Sequence, residues 1–308
     1  MPKTLKTKIK ILKMKRLFLT LAAILAVCLA MNAKTVTKNY NYTGFTGIRA
    51  GSVFEVNVTK SDTYSVKVEI DDEYEKYLVV KMDRGNLVLN FDNLPKRLRS
   101  KNLNITMKAT VCMPTLEMLN ISGASRFYTD DEFDLGATKF FSTVSGASKL
   151  EKLKVIANEA EIHVSGASKI NVKGVFDIVN LYVSGASSAT TAFDADCLKI
   201  ECSGASSSYA AGKYTNVDIE CSGASKTKIE GTTSTLNIEG SGVCTISAID
   251  MVSSNVSVEL SGASRATVNV LKMMEVECSG ASSCEYKAEN PIILNTDLNR
   301  ASSLKHIK

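Results

Sequence analysis

The tetrapeptide Ser-Gly-Ala-Ser recurs at near-constant spacing through the second half of this chain. It begins at Ser122, Ser145, Ser165, Ser184, Ser203, Ser222, Ser261 and Ser279. Ser241 opens a variant, Ser-Gly-Val-Cys, and Asn299 opens a degenerate copy, Asn-Arg-Ala-Ser. Successive starts lie 23, 20, 19, 19, 19, 19, 20, 18 and 20 residues apart. One such unit cannot bury a core alone and does so only by stacking on its neighbours, so a fixed period of about 20 residues marks a solenoid.

The residues before each tetrapeptide alternate apolar and polar, as in Leu198-Lys199-Ile200-Glu201-Cys202 and Val217-Asp218-Ile219-Glu220-Cys221. Period-two alternation rich in β-branched residues predicts strands with one buried face. The fold class expected is therefore all-β: a parallel β-helix-like solenoid of roughly 20-residue coils, with equivalent strands stacked about 4.8 Å apart. Ten coils at that spacing make a rod of roughly 45–50 Å. In the tetrapeptide, Gly supplies a left-handed or closely packed corner, Ala fits inside the bend, and the two Ser residues satisfy loose backbone groups. Residues 34–118 lack the beat but alternate in short runs, Val53–Val58, Tyr64–Ile70, Tyr77–Met82, Asn86–Phe91 and Leu103–Val111. They read as irregular opening coils or a β-rich cap before the regular repeat of residues 119–308, with the basic stretch Lys96–Lys101 as a solvated loop.

Stacking turns repeat positions into columns. The column just before the first Ser is predicted to point inward: Ile121, Val144, Val164, Val183, Cys202, Cys221, Gly240, Leu260, Cys278 and Leu298. The column two before that Ser points outward and reads Asn120, Thr143, His163, Tyr182, Glu201, Glu220, Glu239, Glu259, Glu277 and Asp297. The column after the tetrapeptide is partly basic, with Arg126, Lys149, Lys169, Lys226 and Arg265.

Residues 1–33 read as a secretory signal, a basic stretch followed by the apolar run Leu17–Ala30, which is short for a membrane span. Leu25-Ala26-Val27-Cys28 is an imperfect lipoprotein box, so a lipid anchor at Cys28 is the one membrane link left open. Cleavage removes seven of the 37 basic residues, leaving 30 against 32 acidic and a net charge of −2. The basic balance of the whole chain thus belongs to the leader, and nucleic acid is not an expected partner. The remaining cysteines are Cys112, Cys197, Cys202, Cys221, Cys244, Cys278 and Cys284. Three fall in the inward column and are expected to act as buried thiols, although Cys202 and Cys221 stand on adjacent coils within bridging reach. No Cys-x-x-Cys pair suggests structural zinc.

Catalytic chemistry is not indicated. The mature chain holds only His163 and His306 and no Trp. No His recurs with the Ser residues to form a triad, and no phosphate loop or dinucleotide fingerprint is present. No cofactor is expected. Glu201, Glu220, Glu239, Glu259, Glu277 and Asp297 form a speculative ligand-binding ladder, read as a solvated face or as a strip meeting Ca²⁺ or a cationic surface. A column one residue wide supplies few of the six to eight oxygens that Ca²⁺ usually takes. The most irregular interval, Phe127–Phe141, is read as a longer loop carrying Asp130, Asp131, Glu132, Asp134 and Lys139, where a polysaccharide-active site would sit if there were one.

The opening Tyr42-Thr43-Gly44-Phe45-Thr46-Gly47-Ile48, the segment Met113-Pro114-Thr115-Leu116 leading into Ile121-Ser122-Gly123-Ala124-Ser125, and the recurring tetrapeptide together resemble the GIN domain. That domain is described as the head domain of autotransporter adhesins and is common in Bacteroidetes. The resemblance covers about residues 40–300 and implies a secreted or envelope β-solenoid; taken with the leader, the regular repeat and the missing catalytic set, it makes a non-enzymatic contact module the leading expectation, its partner a host or envelope glycan or protein. A polysaccharide-active β-helix and a purely structural envelope protein are the alternatives.

Overall fold

The computed structural model describes residues 35–99 and 107–308. The predicted leader, Cys28 and the first residues of the predicted Leu103–Val111 strand lie outside the described residues. Among the described residues no helix is long and apolar enough to cross a membrane. The chain is a β-solenoid of about 10 turns with roughly 19-residue coils, as the repeat predicts.

From Lys169 to Cys278 each coil is one long strand and one tetrapeptide turn, and the coil after it is split into the strands Ser283–Lys287 and Ile293–Leu298. The strands Lys169–Val183, Ser188–Cys202, Ser207–Cys221, Lys226–Gly240, Thr245–Leu260 and Arg265–Cys278 pair in parallel, each with the next. The turns belong to the same ladder. In the turn at Ser203, the Ser203, Ala205 and Ser207 amides donate to Val183, Gly185 and Ser187 carbonyls of the preceding coil at 2.9, 2.8 and 2.9 Å. The pattern repeats from coil to coil, so the turn backbone stays paired without water.

Glycine at the second turn position answers two demands. Its φ is positive, +76° at Gly146 and +71° at Gly204. A Cβ at Gly146 would also lie 2.4 Å from the Gly123 carbonyl oxygen on the coil before. At the far end of this column Arg300 takes the place of glycine with φ 65°. There the Ala301 amide reaches the Gly280 carbonyl at 3.1 Å, against 2.6–2.8 Å in the other turns. The longest bond of the series thus falls at the one stacked turn whose second residue carries a Cβ against the preceding glycine.

The fourth turn position points inward. Ser206, Ser225 and Ser264 are buried, and their hydroxyls donate to the Val183, Cys202 and Gly240 carbonyls at 3.0, 3.4 and 3.1 Å. The third position does not sit inside the bend as expected. Ala faces solvent there, and Val243 at the same place is 64 % exposed. Small size at that position is therefore not required by packing.

Changes in coil length are absorbed on the far side of the coil. Thr245 pairs Lys226 and Arg265, while the register shifts fall between Lys228 and Glu230 and between Ala248 and Val252. The turn column and the strand leading into it stay in register throughout.

The opening region combines coil and cap, and its stacking order departs from chain order. Gly47–Ala50 and Glu55–Lys60 form a coil that pairs in parallel with Met118–Ile121 and Arg126–Asp134 on one side. On the other side it pairs in parallel with Asn86–Phe91 and Met107–Met113. Gly51-Ser52-Val53-Phe54 is thus the first turn of the series: Ser52 has φ 65° and its carbonyl accepts the Ala124 amide at 2.6 Å. Antiparallel strands Leu78–Asp83, Ser65–Asp71 and Thr35–Tyr40 then finish the sheet edges. Antiparallel closure protects an end that would otherwise present core and free edges.

Two short helices, Asp72–Glu75 and Lys96–Arg99, insert Tyr74 and Leu98, each 2 % exposed, into this end. The expected solvated loop at Lys96 is in this part a helical turn, because Leu98 has an apolar end of the solenoid to cover. Met113, Phe54 and Phe127 are fully buried near this end, whereas Ala210, Cys202 and Cys221 fill the middle. Burial pushes the Cys244 and Cys278 thiols up, and that of Cys284 up to about 12. The inward column holds as predicted to Cys278, but Leu298 is 42 % exposed because its coil has a stacked neighbour on one side only.

The stacked glycines give a paired prediction. Gly136 also has positive φ, +57°, but a Cβ there meets nothing within 4 Å. Gly136→Ala should cost about 1–2 kcal/mol from the backbone conformation. Gly146→Ala adds a clash with backbone and should cost roughly 3 kcal/mol or more. Urea unfolding of the two variants, compared for midpoint at constant m, checks the difference.

Candidate functional site

The structure brings every residue of the predicted acidic ladder into one outward column. Glu201 pairs in register with Glu220, Glu220 with Glu239, Glu239 with Glu259, Glu259 with Glu277, and Glu277 with Asp297. Strand alternation turns these side chains out, and the turn next door fixes their phase. A groove of about 600 Å³ runs along the ladder from Tyr182 to Asn299. The carboxylates form one wall and the first Ser of successive turns, such as Ser203, Ser222 and Ser241, the other. A smaller groove of about 220 Å³, lined by Lys199, Asp218, Asn237 and Ser257, borders the ladder on its opposite side. The carboxylates therefore stand as a ridge between two channels.

Adjacent like charges about 4.8 Å apart repel by roughly 1 kcal/mol in water before salt screening. The chain offsets this at one end only. Lys199 Nζ lies 2.9 Å from both Glu201 Oε1 and Glu220 Oε1, and these two partners raise its pKa. Asp297 accepts a hydrogen bond from Asn299 Nδ2 at 2.9 Å. Glu239, Glu259 and Glu277 have no ion-pair partner among the described residues. The pairing of Lys199, four positions before the turn, is not visible in the ladder column itself.

Toward the amino-terminal end the same column turns aromatic. The His163 and Tyr182 rings stack at 4.6 Å and 10°, and Phe141 joins His163 at 5.8 Å and 46°. His163 Nε2 lies 2.8 Å from Glu161 Oε1. Lys139 bridges Glu159 and Glu161 at 2.8 Å each, which raises its pKa. His163, and then Lys139, hold the Glu161 carboxyl below its ordinary value. His163 is thus a surface strand residue held by its neighbours.

The interval Phe127–Phe141 is not the longer loop expected. Arg126–Asp134 is a strand paired with Lys149–Ile156 through two register shifts, which take up the extra residues as bulges. Its acids are held by separate partners. Asp131 Oδ2 accepts the Lys60 amide at 2.7 Å, and Asp130 is bound by Lys152 and the Tyr128 hydroxyl. Lys139 belongs to the next strand. Nothing gathers these carboxylates around one point. Among the described residues no three His, Cys, Asp or Glu side chains are placed to hold a metal ion.

The basic residues Arg126, Lys149, Lys169, Lys226 and Arg265 are exposed, with Ser188, Ser207, Thr245 and Ser283 between them in the column.

Comparison with known proteins follows the same architecture. The sequence pattern of the family described as "Putative auto-transporter adhesin, head GIN domain" matches residues 44–192 and 177–290. Among solved structures, a "putative adhesin" from Parabacteroides distasonis superposes with a TM-score of 0.53 at 15 % identity, covering 90 % of this chain and 98 % of its own. A "putative adhesin" from Parabacteroides merdae gives 0.47 at 16 % identity, with the same coverage of 90 % and 98 %. A "putative lipid binding protein" from Parabacteroides distasonis gives 0.44 at 17 % identity, again covering 90 % and 98 %. The comparison with curated proteins finds no match. At these identities the structural likeness concerns the fold.

The uneven pairing of the ladder gives a signed prediction. Glu259→Gln should raise stability by a few tenths to about 1 kcal/mol at low ionic strength, and the gain should fade in 1 M salt. Lys199→Gln should lower it by a few tenths of a kcal/mol. Denaturant unfolding at two salt concentrations reads both signs.

Proposed function

Because this chain belongs to the GIN head-domain family of auto-transporter adhesins, we propose that it is an exported, non-enzymatic contact module whose partner lies along the acidic ladder. The partner class that the chemistry favours is a protein surface or extended segment bearing Lys or Arg. The observation that carries this reading is the run of unpaired carboxylates at Glu239, Glu259 and Glu277, held on successive strands beside a continuous groove. A rigid comb of charges at one strand spacing rewards a cation-bearing partner and rejects an anionic one. The groove is open to solvent, and charged contacts of this kind act on association rate and partner choice more than on affinity per contact.

A glycan is the second reading, favoured by a separate observation. Tyr182, its ring stacked on that of His163, stands at the head of the groove, where an aromatic face meets carboxylates and Ser hydroxyls. Aromatic faces with neighbouring hydrogen-bonding groups also suit amphipathic ligands such as sugars.

Residues 34–308 should bind immobilised lysine-rich proteins, and the binding should weaken steeply between 50 and 300 mM salt. The variant carrying Glu239→Gln, Glu259→Gln and Glu277→Gln should lose at least tenfold in affinity while keeping the fold. Equal binding by that variant would reject the ladder as the contact. Binding lost instead in Tyr182→Ala, on a glycan array, would support the second reading.

A further inference from the structure

The groove leaves unused a pair of thiols inside the solenoid. Cys202 and Cys221 are the sole cysteines among the described residues to face each other as direct register partners on neighbouring strands. Both point inward and are 2 % and 3 % exposed. Parallel neighbours about 4.8 Å apart fall within the Cα separation that disulfides span. The two thiols share one hydroxyl: Thr227 Oγ1 lies 3.4 Å from Cys202 Sγ and 3.1 Å from Cys221 Sγ.

We propose that Cys202 and Cys221 form a disulfide that joins two successive coils at the middle of the ladder. The surroundings suit its formation. The Ser208 hydroxyl donates to Thr227 Oγ1 at 3.0 Å, so the polar groups beside the sulfurs keep a partner when the thiol protons leave. Among the described residues no other cysteine has a cysteine as its register partner: Cys197 pairs with Ile178 and Asn216, Cys278 with Leu260 and Leu298, and Cys284 with Ala266 and Leu304, while Cys244 holds the fourth position of its turn, stacked between Ser225 and Ser264. Cys112 pairs with Thr59 and Ser65.

The oxidant is a protein disulfide of the thiol–disulfide oxidase class. One of the two cysteines, as thiolate, attacks the oxidase disulfide to form a mixed disulfide and release one oxidase thiolate. The other then attacks the bound cysteine sulfur, forming the coil-to-coil bond and releasing the second oxidase thiolate. Two thiols of this chain are oxidised, one disulfide of the oxidase is reduced to a dithiol, and the two protons pass to the oxidase thiolates. Burial in the finished solenoid means the exchange takes place before these coils close. The proposal rests on the export reading, since disulfides persist outside the cytoplasm.

The full chain is expressed in a Gram-negative host, and material with its leader removed is denatured and alkylated with iodoacetamide without reductant. The expected result is two unmodified cysteines among the seven, recovered as one linked peptide pair carrying Cys202 and Cys221. Alkylation of all seven, or a linkage through other cysteines, overturns the proposal. An uncleaved leader would speak against export and not against the bond. The reduced, denatured chain is then refolded in a glutathione redox buffer, where the same linked peptide supports the proposal and its absence overturns it. Cys202→Val and Cys221→Val serve as controls that retain the fold, because Val164 and Val183 occupy the same column on earlier coils. Each should leave the partner thiol free to alkylate, and a bond persisting in either variant would contradict the assignment.

Discussion

The structure depends on a backbone hydrogen-bond ladder that continues through its turns. In most β proteins the turns leave the sheet; here the Ser-Gly-Ala-Ser turn stacks on its own copy, and its amides pair with the coil before. That stacking requires a left-handed residue with no Cβ, since the carbonyl of the previous glycine occupies the space a side chain would need. Once the turns are pinned, the strand entering each turn has no freedom of phase. A slip of one residue would exchange its inward and outward faces. Extra residues therefore collect as bulges on the far side, and the columns beside the turn remain unbroken.

Unbroken columns are what give the surface its character. A single outward position changes along the rod from aromatic at His163 and Tyr182 to acidic at Glu201 and beyond. The fold itself does not call for these charges, because any polar residue satisfies an outward strand position. Neighbouring carboxylates at strand spacing work against stability, and Lys199 compensates only the first two. Retaining that cost on an otherwise regular scaffold is the physical reason to look for a partner along this ridge. The inward position beside it must be filled by something apolar, and there Cys202 and Cys221 take the place of valine.

How much of this was legible follows from what each feature leaves in the sequence. The tetrapeptide, the strand alternation and the two columns are written directly, so the coil, its phase and the ladder from Glu201 to Asp297 can be read residue by residue. The first coil was not legible. Gly51-Ser52-Val53-Phe54 shares the backbone shape of the later turns and almost none of their letters, and its stacking neighbours come from Asn86–Phe91 and Met107–Met113 far along the chain. The helical turn at Lys96 hid its purpose in one residue, Leu98. Asp130 and Asp131 looked like a free cluster because their partners, Lys152 and Lys60, come from other strands. For the site, the ladder could be found by spacing, but the pairing of Lys199 and the grooves on either side needed three dimensions.

Hydrogen exchange at the turn amides shows whether the turns carry the ladder. The Ala186, Ala205, Ala224 and Ala263 amides, all donors to the preceding glycine carbonyl at 2.7–2.8 Å, should be protected to the same degree as strand amides such as Ile200 and Ile219. The Ala301 amide, with its longer 3.1 Å bond beside Arg300, should exchange faster than the other four. Turn amides that exchange at the rate of open loops, while the strands stay protected, would show that the turns do not carry the ladder.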